Sequence, residues 1–362
     1  MMTHHGGNIY RAALDSGRPL TRILDFSASI NPLGLSSRAV HAMTSALRQT
    51  VHYPEPNCIA LRKALAGRHS LIPEQILVGN GSSEIIQLLP RALSLRSALI
   101  VGPAFSEYAR ALLLEGGRTV SVNAKRAEQY RVPIRDAIRM IRNNRTKVDA
   151  VFVCNPNSPT GQGVSPEDIG ELVKTVSHSG GWTIIDETFV DYCEERSVLP
   201  QLKRYSRVVI LRSFTKFYAL PGIRIGYAVS DEKTVTRMHA RQPPWSVNTL
   251  AQVAALSSMN DLAYARRSRR FMALERDRFC AGLRTLTDVV VYPSLANFLL
   301  VELPPPHTAV EVAERLCTQG ILVRDCSATA GLTARSIRVA VRMPEQNRRL
   351  ISVLRRLLKG QS

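Results

Sequence analysis

The chain has 362 residues, 45% of them hydrophobic, and a formal net charge of +19. That length accommodates one large and one smaller domain, and no apolar run approaches the roughly 20 residues that cross a bilayer. The six cysteines are scattered without a Cys-x-x-Cys pair, which argues against a disulfide framework or a zinc site. Free thiols suit a reducing cytoplasm, and the N-terminal Met1-Met-Thr-His-His-Gly-Gly lacks a hydrophobic signal core. A cytoplasmic protein with no membrane partner is therefore expected. His4-His5 has no Cys or Asp at ligand spacing, so no metal is expected. The positive charge invites a nucleic-acid reading. However, the arginines are spread along the chain, and the densest group, Arg266-Arg267-Ser-Arg269-Arg270, reads as the solvated face of a helix. No helix-turn-helix, zinc-finger or RNA-binding aromatic pattern accompanies it, so no nucleic-acid partner is expected. A positive field also attracts small phosphorylated substrates.

In chain order, Asn31-Pro-Leu-Gly34 reads as a turn. Strand-like runs follow at Gln75–Gly79, Ser97–Val101, Asp149–Cys154, Trp182–Asp186, Val208–Leu211 and Ile225–Val229, alternating with amphipathic stretches. This pattern predicts an α/β domain with a mostly parallel sheet, and in such sheets sites form at the carboxyl ends of strands. From about residue 245 helical patterns dominate, followed by short apolar runs at Val289–Tyr292, Phe298–Val301, Ile321–Val323 and Ile337–Val341. The expected organisation is a large domain over 46–244 and a smaller α+β domain from 1–45 and 245–362.

Several segments fall at predicted strand ends. Gly79-Asn80-Gly81-Ser82-Ser83-Glu84 opens a helix, where free amides and hydroxyls bind phosphate, or where a serine simply caps. Phe105 can stack on a flat ring or be plain core. Asn155-Pro-Asn157-Ser158-Pro-Thr-Gly161 is a rigid turn whose amides can donate to a phenolate oxygen. Asp186 ends an apolar run, and a buried carboxylate there needs a partner. A protonated pyridine nitrogen would supply it. Lys216 lies in Ser213-Phe-Thr-Lys216-Phe-Tyr-Ala-Leu-Pro-Gly-Ile-Arg224, just past another strand. A lysine that can form a Schiff base with an aldehyde, flanked by Ser213 and Arg224 as phosphate ligands, describes a pyridoxal 5′-phosphate site.

Together these segments resemble the PLP-dependent fold type I enzymes of the aspartate aminotransferase superfamily, over nearly the whole chain. The resemblance implies that Lys216 carries the cofactor and that Asp186 meets the ring nitrogen. It further implies that Asn157 binds the ring hydroxyl, that Phe105 stacks on the ring, and that Gly81, Ser82, Ser213 and Arg224 hold the phosphate. Tyr53 looks like the tyrosine that reaches the neighbouring subunit's cofactor phosphate, which implies a homodimer. Two positions depart from the pattern. Ser158 stands where the superfamily usually has Asn before Pro-Thr-Gly, and Phe189 stands where a tyrosine usually follows the aspartate.

Within the superfamily two phosphate-substrate branches are similar: histidinol-phosphate aminotransferases and the L-threonine-O-3-phosphate decarboxylases of cobalamin biosynthesis. Leu24-Asp-Phe-Ser-Ala-Ser-Ile-Asn31-Pro-Leu-Gly34, Phe189 and Gln242-Pro-Pro-Trp245-Ser-Val-Asn248 resemble the second more closely. The loop Ser327-Ala-Thr-Ala-Gly-Leu332 lacks the usual aromatic. The resemblance implies decarboxylation of threonine phosphate to (R)-1-amino-2-propanol O-2-phosphate, with phosphate-substrate transamination as the alternative. Arg324 and Arg338, both strand-borne, suit bidentate phosphate binding. His5 and Asn31 are expected to close the substrate pocket.

Overall fold

A computed structural model describes residues 6–143 and 147–360 of the chain. Its strands are β1 (Leu24–Asp25), β2 (Ile76–Gly79), β3 (Ser97–Gly102), β4 (Arg118–Asn123), β5 (Ala150–Cys154), β6 (Trp182–Asp186) and β7 (Val208–Ser213). They continue with β8 (Gly226–Val229), β9 (Val290–Val291), β10 (Phe298–Glu302), β11 (Ile321–Leu322), β12 (Arg324–Asp325) and β13 (Ser336–Ala340).

The large sheet has the order β2-β8-β7-β6-β5-β3-β4. β7, β6, β5, β3 and β4 run parallel, and β8 runs antiparallel to both its neighbours. Every residue of β5, β6 and β7 is buried, as expected for strands covered on both faces. Successive side chains go to opposite cores. Leu99, Val151, Val153, Ile185 and Ile210 belong to one cluster, and Ile100, Phe152, Ile184, Val209 and Leu211 to the other. β4 was not expected from the sequence. It is an edge strand with no fully buried residue, so its Arg-Thr-Val-Ser-Val-Asn sequence shows no continuous apolar run. The result is the expected α/β architecture with a mostly parallel sheet.

A second, antiparallel sheet has the order β12-β13-β10-β9, and β1 pairs in parallel with β11 beside it. Its core gathers Phe26, Phe279, Leu299, Val301, Ile337 and Val339. The Ser37–Ala46 helix instead packs on the Thr249–Met259 helix. Val247, Ala251, Ala254, Ala255 and Met259 share the core of the large sheet. The stretch expected to open the smaller domain therefore begins against the large one. Among the described residues no helix is long and apolar enough to cross a membrane.

β2, β3, β5, β6 and β7 all end at one rim of the large sheet, where β8 begins, since Gly226 pairs with both Gly79 and Ser213. A buried ion pair braces that rim. Arg212 Nε donates to Glu187 Oε2 at 2.8 Å, its Nη2 donates to Ser197 Oγ at 2.8 Å, and Val198 N donates to Glu187 Oε1 at 2.8 Å. These residues adjoin Ser213 and Asp186, so the pair fixes the ends of β6 and β7 relative to each other. Removing one partner strands a buried charge. Arg212→Met is expected to lower unfolding free energy by about 3–5 kcal/mol in urea denaturation, and a loss below about 1 kcal/mol would show the pair to be dispensable.

Candidate active site

The phosphate-like cup lies where β2 turns into the Ser82–Leu93 helix. Gly81 precedes that helix with φ 81°, and no side chain caps it. A Cβ on Gly81 would stand 2.8 Å from Arg224 Nη2, and one on Gly226 would stand 2.6 Å from Ser82 N. Glycine at both places lets the Arg224 guanidinium and the helix amides close on one small volume. Arg224 itself has φ 60°, and its Nη1 donates to Pro221 O at 3.1 Å. Ser213 ends β7 at the same rim, its Oγ 2.7 Å from Thr215 Oγ1. Helix-end amides, hydroxyls and a guanidinium together favour an anion.

Lys216 is half-buried in the loop after β7. Its ammonium is pushed down to about 8, by burial first and then by Arg338 and Arg224, against Asp186 and Asp25. No hydrogen-bond partner holds its Nζ among the described residues. It is thus a lysine that is neutral, and nucleophilic, within reach of ordinary pH.

Asp186, at the end of β6, is buried and keeps both oxygens engaged. Oδ2 accepts from Tyr108 Oη at 2.6 Å and Oδ1 from Thr188 N at 2.9 Å. Burial, and then the Asp186 charge, raises the Tyr108 phenol well above its ordinary value, so it stays a neutral donor. Phe105 is half-buried and meets Tyr108 edge-on at 5.8 Å, while Tyr108 stacks on Phe152 at 5.3 Å. Sequence reasoning assigned Phe105 and passed over Tyr108. The residue that touches Asp186 lies three positions further on, at the start of the Glu107–Leu114 helix.

The 155–161 turn also differs from expectation. Asn157 Oδ1 accepts from Thr160 N at 3.2 Å and Thr160 Oγ1 at 2.9 Å, and its Nδ2 donates to Pro103 O at 2.9 Å. Its amide braces the turn, and Ser158 is the residue whose side chain accepts from Arg338 Nη1, at 2.9 Å. Arg338 Nη2 donates to Ser27 O at 3.1 Å, its guanidinium lies 4.9 Å from the Phe298 ring centroid, and its buried Nε has no partner among the described residues. Phe189 packs edge-on to Phe298 at 5.0 Å in a wholly apolar cluster with Ala296. At that position the chain uses an aromatic shelf under Arg338 rather than a hydroxyl.

Arg324 and Arg338 sit directly opposite each other across the β12–β13 ladder. Like charges so placed repel, which makes the pair a natural receptor for a dianion. Asp25, unassigned in the sequence, accepts at Oδ1 from Ser27 N at 2.7 Å and Ser27 Oγ at 2.6 Å, and so shapes the loop that meets Arg338.

Asn31 was expected to face a substrate, but its side chain serves the protein. Nδ2 donates to Phe217 O, Tyr264 Oη and Ser268 Oγ at 2.8–3.0 Å, and Oδ1 accepts from Leu33 N at 3.1 Å. Its own N donates to Lys216 O at 3.0 Å. Asn31 thus anchors the lysine loop. Tyr53 is on the surface, stacked on Trp245 at 4.6 Å. His5 lies outside the described residues. Among the described residues no group of three or more His, Cys, Asp or Glu side chains gathers as metal ligands.

This arrangement has counterparts. The aminotransferase class I and II family matches residues 21–354. The chain belongs to that family. It is 38% identical to the threonine-phosphate decarboxylase of Salmonella typhimurium, covering 98% of this chain and 97% of that protein. It is 31% identical to histidinol-phosphate aminotransferase 1 of Bacillus cereus (strain ATCC 14579), covering 98% and 94%. The crystal structure of L-threonine-O-3-phosphate decarboxylase from Porphyromonas gingivalis superposes with a TM-score of 0.81 at 28% identity, covering 93% of this chain and all of that one.

For this family member the Tyr108–Asp186 contact makes a direct prediction. Tyr108→Phe removes one hydrogen bond to a buried carboxylate without opening a cavity. Unfolding free energy is expected to fall by about 1.5–3 kcal/mol, read from the urea midpoint. An unchanged midpoint would mean that Tyr108 does not hold Asp186.

Proposed function

We propose that the protein is a pyridoxal 5′-phosphate-dependent decarboxylase that converts L-threonine O-3-phosphate to (R)-1-amino-2-propanol O-2-phosphate and CO2, a reaction of cobalamin biosynthesis. The observation that carries this reading is the facing pair Arg324 and Arg338, of which Arg338 is near enough to Lys216 to help lower its basicity. The likeness to the Salmonella enzyme supports it.

The residues fit the cofactor. Gly81, Ser82, Ser213 and Arg224 form a cradle that a Cβ at Gly81 would obstruct, and they would hold its phosphate. Lys216 would hold the aldehyde carbon and Asp186 the ring nitrogen. Ser158 is taken as the partner for the ring hydroxyl, because the Asn157 amide is already engaged by Thr160 and Pro103. Phe105 and Tyr108 would border the ring. Bound there, pyridoxal phosphate supplies an electron-accepting ring for the pair left when a bond at the substrate Cα breaks.

The chain's own groups then decide which bond breaks. Arg324 and Arg338 bind the substrate phosphate, so they leave the carboxylate free to depart. Tyr108 and Thr188 hold the Asp186 carboxylate in place, so its charge is already oriented when negative charge develops. Lys216, displaced by the substrate amine, is the candidate acid that returns a proton to Cα. In this reading the working unit is a homodimer in the cytoplasm, with Tyr53 of each subunit serving the other's cofactor phosphate.

The decisive assay supplies pyridoxal phosphate and threonine phosphate without any 2-oxo acid. One CO2 per aminopropanol phosphate is expected, whereas turnover only with 2-oxoglutarate and without CO2 would make the protein an aminotransferase. Asp186→Asn should reduce kcat by about 100-fold or more, and near-normal turnover would remove Asp186 from the chemistry. Arg338→Ala and Arg324→Ala should raise KM for threonine phosphate about tenfold to a hundredfold and affect free threonine much less. Equal penalties on both substrates would assign the arginines to the carboxylate.

A further inference from the structure

Tyr53 and Trp245 form an exposed aromatic platform, and Trp245 has no role in the site proposed above. Their rings stack at 4.6 Å and 25°, although Tyr53 is 78% and Trp245 46% exposed. An exposed tyrosine has no packing reason to hold one direction, and the stack gives it one. Trp245 itself has φ 55°, a conformation that bulky residues rarely adopt and keep only where their surroundings force it.

The forcing contacts lead to the cup. Gln242 Nε2 donates to Val78 O at 2.8 Å and to Glu84 Oε2 at 3.1 Å, and Ser246 Oγ donates to Glu84 Oε2 at 3.2 Å. The same Glu84 oxygen accepts from Asn80 N at 2.8 Å. Asn248 Nδ2 donates to Ile223 O at 3.2 Å, next to Arg224, and Gln252 Nε2 donates to Glu55 O at 2.8 Å, two residues past Tyr53. The 242–252 segment therefore ties the Tyr53 turn to both halves of its own cup. Close to Tyr53 in sequence, Leu47, Val51 and Ile59 are also exposed, apolar groups of the kind that a second copy of the chain would cover.

We propose that Trp245 is a positioning residue: it holds Tyr53 in the direction from which its hydroxyl meets the cofactor phosphate of a second copy of this chain. This rests on the function proposed above, and specifically on Tyr53 serving the other subunit. Because the brace is fastened to Glu84, Asn80 and Ile223, each cup also sets the position of the tyrosine it lends to its partner.

The test measures equilibrium affinity for pyridoxal phosphate and for pyridoxal, which lacks the phosphate, together with sedimentation. The proteins are the wild type, Tyr53→Phe, Trp245→Phe, Trp245→Leu and the Tyr53→Phe/Trp245→Leu double variant. Tyr53→Phe should weaken pyridoxal phosphate about tenfold or more, and Trp245→Leu about threefold to tenfold. The double variant should be no weaker than Tyr53→Phe alone, and Trp245→Phe, which keeps an aromatic face, should stay within about twofold of wild type. Pyridoxal affinity and the dimer should be unchanged throughout.

The proposal is overturned if Trp245→Leu leaves pyridoxal phosphate affinity intact, weakens pyridoxal equally, adds fully to Tyr53→Phe or dissociates the dimer. If Tyr53→Phe is itself neutral, the reading of Tyr53 fails and the role of Trp245 with it. If Tyr53→Phe weakens binding while Trp245→Leu does not, only the present proposal fails. Hybrids with a Lys216→Ala subunit locate the effect. Borohydride-trapped cofactor on the intact Lys216 should require higher cofactor concentration when Trp245→Leu lies in the Lys216→Ala subunit. It should not do so when the change lies in the Lys216-bearing subunit, and the reverse pattern would overturn the transfer across subunits.

Discussion

The site depends on one electrostatic constraint: a lysine must be able to lose its proton where positive groups converge. Burial begins the effect, and Arg338 and Arg224 extend it, with Asp186 and Asp25 only partly opposing. The arginines come from different parts of the chain. Arg224 belongs to the turn into β8 of the large sheet, and Arg338 to β13 of the small one. Each is read as an anion ligand, Arg224 for the cofactor and Arg338 for the substrate. In the proposed reading, the charges that would bind two phosphates also add to burial in lowering the Lys216 ammonium.

That convergence is held by buried polar groups behind it. The Arg212–Glu187 pair fixes the ends of β6 and β7 from beneath. Asn31, with Tyr264 and Ser268, fixes the lysine loop from the side. Neither group is among the assigned ligands, yet a shift in either would displace Lys216 relative to Asp186.

Much of this was legible from one-dimensional patterns. Fully buried strands read as apolar runs, and chemistry-bearing residues at their carboxyl ends read as a site. What was not legible depends on side-chain direction and strand register. Asn31 and Asn157 have the right chemistry for ligands, but their amides turn inward to satisfy backbone groups that burial would otherwise leave unpaired. Tyr108, passed over in the sequence, is core except for a hydroxyl that reaches Asp186. Arg324 and Arg338 read as strand-borne, but that they face each other follows from the register of a two-residue strand, which the sequence does not show. β4 escaped notice because an edge strand carries a mixed pattern.

The ionisation of Lys216 is the property on which the site most directly depends. The rate of its reductive trapping by pyridoxal phosphate, followed against pH, reports the fraction of neutral amine. Because the lysine is depressed to about 8, the rate should rise through about pH 8 and level off above it. Arg338→Leu removes a neighbouring positive charge and should move that midpoint upward. A wild-type midpoint near that of an ordinary lysine, about 10.4, or one that Arg338→Leu leaves in place, would contradict the account.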